Sequence, residues 1–166
     1  MAGNELKFVP IELPEMNLEL QELVEDLQEK DAKEVEINKA PDETIYDCVY
    51  NVLCSCVDRF FVVCNEDIIG VVAHQPVMKD GYDIAVLCVL TTNKVKKYPK
   101  QYYLAAKRFI SSLVANYDAL VCEILDSYSS SLKMAKKFGF NKAAEYERNG
   151  SKLIVEVLRI SHGLDK

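Results

Sequence analysis

Glu123 is the only charge in the apolar run Leu120-Val-Cys-Glu-Ile-Leu125. A carboxylate inside a strand is costly to bury unless it is paired or lies beside a cleft. It accepts a proton there, pairs with a helix lysine, or points out past the end of the sheet. Tyr128 follows at the start of a helix, where an aromatic ring serves equally as packing or as a phenol that donates a proton. A second group is cationic. Lys94, Lys96, Lys97 and Lys100 crowd the stretch Thr91-Thr-Asn-Lys-Val-Lys-Lys-Tyr-Pro-Lys100. Lysines at a helix start hold a phosphate as point charges, or they are simply a solvated basic loop. His74 ends an apolar strand and has the ordinary pKa of a base, although a lone His in such a place is more often structural. Tyr98, Tyr102 and Tyr103 come after the lysines and line a pocket or partner surface, with core packing the simpler reading for Tyr102.

The remaining polar chemistry is sparse. Cys48, Cys54, Cys56, Cys64, Cys88 and Cys122 sit inside apolar runs and are expected to be reduced, buried thiols. With no C-x-x-C pair and only His74 and His162, no metal site is expected. The net charge of −6 argues against nucleic acid as a partner, because phosphate contacts need a surplus of Lys and Arg. No apolar run is long enough to span a bilayer, and the acidic, amphipathic N-terminal stretch does not read as a targeting signal. A chain of 166 residues is expected to form one domain, 1–166.

Several elements must position these groups. Residues 5–13 alternate Leu6, Phe8 and Ile11 with polar neighbours, a first strand limited to an edge by Pro10. Met16, Leu20, Leu23, Val24 and Leu27 form a helical stripe. Residues 31–37 are ambiguous. Pro41-Asp42 opens a second helix with the stripe Ile45, Val49, Val52, Leu53 and Cys56. Residues 59–64 and 68–77 read as partner strands, and 84–90 as a central strand apolar on both faces. Pro99 starts a third helix. Residues 119–125 form a second central strand, and 127–138 a short helix stopped by Gly139. Residues 143–148 and 152–160 flank Asn149-Gly150, a strong hairpin signal. The fold class is therefore α+β or α/β: a mixed twisted sheet of about seven strands with four flanking helices.

This order, with the helix-Gly-Phe ending at Phe138-Gly139-Phe140, resembles the GNAT N-acetyltransferase fold over nearly the whole chain. The resemblance implies that strands 84–90 and 119–125 run parallel and splay, with acetyl-CoA between them. It implies that the backbone at Val89, Leu90 and Thr91 holds the pantetheine arm, that Lys94, Lys96 and Lys97 meet the phosphates, and that Glu123 is the base and Tyr128 the acid. The chain departs from the family pattern at three points. The phosphate turn has no glycine, and Pro99 lacks an N–H. The usual pantetheine Asn is Tyr128. The usual acid Tyr is Ala135, which cannot donate a proton.

Several short stretches are similar to a GNAT-like family of short-tailed bacteriophages related to the gene-thirteen product, tied to internal virion proteins and head assembly. They are a "D-x-x-E" helix exit at Asp31-Ala-Lys-Glu34, the strand Gly70-Val-Val-Ala73-His-Gln-Pro76, the double threonine Thr91-Thr92 and the closing Lys-Phe-Gly-Phe. That likeness implies a phage protein in the host cytoplasm or the virion. Two functions follow from the resemblance. One is an acyl-CoA-dependent N-acyltransferase with degenerate motifs. The other is a non-catalytic protein that binds a phage structural protein or a host protein.

Overall fold

The computed structural model describes residues 5–160; His162 lies outside them. Strand β1 is Leu6–Pro10, followed by helices α1 (Asn17–Glu25), α2 (Glu29–Asn38) and α3 (Ile45–Cys54). Strands β2 (Val57–Cys64), β3 (Asp67–Lys79) and β4 (Tyr82–Thr91) form a meander. A 3-10 turn at Asn93–Lys97 leads into α4 (Pro99–Leu113). Then come β5 (Ala119–Leu125), α5 (Ser129–Lys137), β6 (Asn141–Arg148) and β7 (Ser151–Arg159).

Among the described residues, five α-helices stand where the sequence pattern gives four. The additional one is α2, which occupies the ambiguous stretch. Its inward positions are Asp31, Val35 and Ile37, so a buried acid interrupts the apolar stripe and hides the helical period. Glu29 and Asp31 in its first turn suit the helix dipole. Asp31 and Glu34 thus lie inside a helix, not at the exit of one. Helix α3 starts at Ile45, later than Pro41-Asp42, because Thr44 caps it. The Thr44 hydroxyl accepts the Asp47 N–H at 3.0 Å, and Asp47 accepts the Thr44 N–H at 3.4 Å.

The seven strands lie in the order β1-β2-β3-β4-β5-β7-β6. Every pair is antiparallel except β4–β5. That parallel pairing covers only Ile84–Val86 against Ala119–Val121, with α4 as the crossover. Beyond it the strands part. β4 stays with β3 until Gly70 faces Thr91, and β5 stays with β7 until Leu125 faces Leu153. One core lies under α4 and α5 and includes Ile69, Ala85, Phe109, Leu120 and Phe140. The other lies under α1–α3 and includes Leu20, Leu23, Leu53, Phe61 and Val71. The parallel, splayed strands expected from the sequence are therefore present, between two apolar layers.

Two turns that aim the last strands follow from local chemistry. Gly139 takes φ +97°, and α5 ends in a Schellman pattern, with Phe140 N–H donating to Ala135 and Gly139 N–H to Lys136, each at 3.0 Å. Asn149 and Gly150 take φ +51° and +79°, as the hairpin requires. The outer strand β6 is exposed, carries Lys142, Glu145, Glu147 and Arg148, and is irregular between Lys142 and Ala144. Charges and bulges of this kind keep an edge strand from pairing with other chains.

At Gly70 the backbones of β3 and β4 leave no room for a side chain. A Cβ there would lie 2.5 Å from the Leu90 carbonyl oxygen. Gly70→Ala should therefore cost about 1–3 kcal/mol, read as a lower urea midpoint with an unchanged slope.

Candidate functional site

The parting of β4 and β5 leaves facing backbone edges with no strand partner, and a cleft of about 510 Å³ opens there. Val86 to Leu90 of β4 and Cys122 to Ile124 of β5 form its sides. Lys30, Asp31 and Glu34 reach it from α2, on one face of the sheet. Tyr102 and Ala106 of α4, with Met134 and Ala135 of α5, reach it from the other.

The α2 side is acidic and built. Asp31 is 3% exposed. It accepts the Thr91 N–H at 2.9 Å and also the Thr91 hydroxyl, while Lys30 Nζ lies 3.3 Å from its other oxygen. The Gln28 N–H donates to the Thr91 carbonyl at 2.9 Å. The start of α2 is thus fastened to the end of β4. One turn further along α2, Glu34 Oε1 accepts the Leu125 N–H at 3.4 Å. Burial, then the charge of Asp31, pushes the Glu34 carboxyl up to about 7, against the pull of the Leu125 N–H and Lys30. Glu123 adds to the upward push.

Glu123 projects from β5 on the same side, exposed, and accepts a hydrogen bond from the Tyr146 hydroxyl. It neither pairs with a helix lysine nor points beyond the sheet. Burial, then that bond, pushes the Tyr146 phenol up to about 12. Arg148 donates to Asn38 and lies over the Tyr146 ring, 5.2 Å from its centroid.

The other residues singled out in the sequence are scattered. Val89 and Leu90 lie on the reach of β4 that has no partner on β5, and they line the cleft. Thr91 is buried, with its N–H and carbonyl already taken by Asp31 and Gln28. Lys94 pairs with Glu22 at 3.4 Å, and Lys96 and Lys97 are exposed. The turn that carries them is folded on itself: the amides of Asn93, Val95 and Tyr98 donate to Asp26, Thr92 and Val95. Tyr128 precedes α5 rather than opening its first turn; it packs against both the core under α4 and α5 and the small cluster of Ile37, Leu125 and Leu153, and it does not line the cleft. Burial, then Glu34, raises its pKa.

His74 is 1% exposed, hydrogen-bonded through Nε2 to Tyr117 at 2.8 Å, and lies outside the cleft lining. Tyr102 packs against the core as expected and also lines the cleft, while Tyr98 is buried and donates to Asp67 at 2.8 Å. Cys48, Cys56, Cys88 and Cys122 also line the cleft, and burial pushes the Cys88 and Cys122 thiols up to about 12. Cys54 departs from the core-like placement expected of all six, because it is exposed. No helix among the described residues is long and apolar enough to cross a membrane.

Sequence reasoning passed over Asp31 and Glu34 as site residues. The available signal was the step from Asp31 to Val35, which puts an acid on the inward face of a helix. Glu34 also gives a stability test. Its folded-state pKa lies above the ordinary 4.5, so the folded protein keeps a proton that the unfolded chain releases. The benefit is complete below pH 4.5 and is lost as the pH rises to 7. Glu34→Gln should match the wild type near the lower limit and exceed it by about 2–3 kcal/mol at about pH 8. Urea melts at both pH values provide the comparison.

No protein-family model matches the chain, and no curated protein matches it by sequence. Solved structures do match. The Escherichia coli ribosomal-protein-S18-alanine N-acetyltransferase superposes with a TM-score of 0.69 at 14% identity, covering 98% of each chain. A GNAT-family acetyltransferase from Streptococcus pneumoniae gives 0.64 at 14%, covering 95% of this chain and all of the other. The NatC complex bound to Gag peptide and CoA gives 0.62 at 12%, covering 95% of this chain and 99% of that one. The chain has the fold of the GNAT acetyltransferases.

Proposed function

We propose that this chain is an acyl-CoA-dependent N-acyltransferase, with acetyl-CoA as donor and an amine as acceptor. The observation that carries the reading is the cleft at the parting of β4 and β5, with unpaired backbone on both sides and carboxyls on one. The pantetheine arm lies along β4 at Val89 and Leu90, where main-chain groups have no partner on β5. The phosphates meet Lys96, Lys97 and the start of α4, which together place positive charge at a helix N-terminus. Lys94 joins them when it leaves Glu22. Glu123 belongs to the acceptor side, held by Tyr146. Tyr128 takes no part in this reading, because it does not line the cleft.

A second reading has one observation in its favour. The turn between β4 and α4 has no glycine and spends three of its amides on its own or neighbouring carbonyls. A cradle for pyrophosphate needs such amides turned outward. On this reading the chain is a non-catalytic GNAT-fold protein of a short-tailed bacteriophage that binds a structural or host protein in the host cytoplasm.

A thermal-shift titration with acetyl-CoA separates the two. On the first reading the midpoint climbs with ligand concentration, by roughly 5–10 °C once the ligand stands at about a hundred times its Kd. Lys96→Ala and Lys97→Ala should each weaken binding by up to about fivefold, more at low salt, where charge is less screened. No shift at millimolar acetyl-CoA leaves the second reading alone.

A further inference from the structure

Glu34 has no task in the scheme above. It projects from the middle of α2 to the free edge of β5, beyond the last residue that pairs with β4. By accepting the Leu125 N–H it does what a neighbouring strand would do had the sheet stayed closed. Among the described residues it forms no salt bridge. Glu123, by contrast, is exposed and already bonded to the Tyr146 hydroxyl.

We propose that Glu34 is the general base of the acyl transfer, and that the acceptor is a primary amine that reaches it as a cation from the α2 side of the cleft. This inference rests on the acyltransferase reading. It places the base on a helix under the sheet, not on the strand that carries Glu123.

The surroundings explain the choice. On its own helix Glu34 meets Asp31 and Lys30, and Lys30 is held by Asp31. β5 contributes Glu123 and Cys122, and β4 contributes Cys88. Tyr102 of α4 and Tyr128 before α5 interact with it electrostatically. Arg148 of β6 lines the same cleft but donates to Asn38. Three carboxyls thus face one lysine already in use and one arginine turned aside. A cation is drawn into such a site, and a neutral acceptor is not.

Proton transfer also favours Glu34. An alkylammonium has an ordinary pKa of about 10.4. Passing its proton to a carboxylate at the ordinary 4.5 is uphill by roughly a millionfold. With the Glu34 carboxyl at about 7, the penalty is nearer a thousandfold. In the step itself, the ammonium gives one proton to Glu34, and its nitrogen lone pair forms the C–N bond to the thioester carbonyl. The C–S bond breaks, the second nitrogen proton goes to the leaving thiolate, and Glu34 releases its proton to water. The products are an amide, the free thiol of CoA and one proton.

The test is CoA-thiol release from acetyl-CoA, with spermidine and a lysine-containing peptide as acceptors, across pH 5.5 to 9. For the wild type, kcat/KM should rise through an apparent pKa near 7, and the acceptor KM should grow several-fold on adding salt. Glu34→Gln should lower kcat by about 10²–10⁴-fold and abolish the limb near 7, while the thermal shift with acetyl-CoA stays. Glu34→Asp keeps the carboxyl but withdraws it by one methylene, so it should keep a limb at reduced rate; it decides the matter if the Gln variant does not fold. Wild-type turnover with a Glu34→Gln rate and pH profile like the wild type's overturns the assignment of Glu34 alone. An acceptor KM indifferent to salt overturns the cationic acceptor. A wild type inactive with both amines removes the acyltransferase reading and Glu34's role with it.

Discussion

The parallel pairing of β4 with β5 lasts for three residue pairs and then stops, and the rest of the molecule is arranged around that stop. Each strand remains committed to its outer neighbour, β4 to β3 and β5 to β7, so neither can bend back to close the gap. An open seam in a sheet is expensive, because each unmatched N–H or carbonyl must find another partner. Here part of the demand is met from α2, through Glu34 on one side of the seam and Asp31 on the other. The helix that the sequence pattern conceals is therefore the one that holds the opening in shape.

The charges are divided by the same seam. The α2 side carries Asp31, Glu34 and Glu123, and the turn into α4 carries the lysines. In a chain with a net charge of −6, that separation gives the two ends of the cleft opposite preferences. A polyanionic donor suits one and a cationic acceptor the other, which is the polarity that the proposed reaction needs. The turn itself has settled into a closed 3-10 form, with Pro99 in place of an amide donor at the head of α4. Donor phosphates would rely on lysine side chains far more than on main-chain amides.

Elements governed by local chemistry were legible in the sequence. Gly139, Asn149-Gly150 and the doubly apolar strand at 84–90 all imposed the conformations that their residue types demand. The splayed pair was legible as well, since one helix between two buried strands leaves few arrangements. What the sequence obscured is tertiary. Nothing local says that Asp31 will find Thr91, whose hydroxyl and N–H repay its burial, so an acid in the stripe left α2 ambiguous in the sequence. Glu123 was conspicuous because its strand is apolar. Glu34 was not, because it stands among many acids on a helix and its surroundings come from β5. Tyr128 shows the converse: a suggestive position by counting, yet a side chain that packs into the apolar clusters and does not line the cleft.

The contact between Asp31 and Thr91 ties the floor of the acidic half to the strand end that leads into the basic turn. A donor that moved the turn would therefore move α2, and Glu34 with it. Thermodynamic reciprocity then requires that an amine seated at Glu34 alter donor affinity by the same factor that the donor alters its own. Whether substrates enter independently or in a preferred order would be written in that one buried carboxylate.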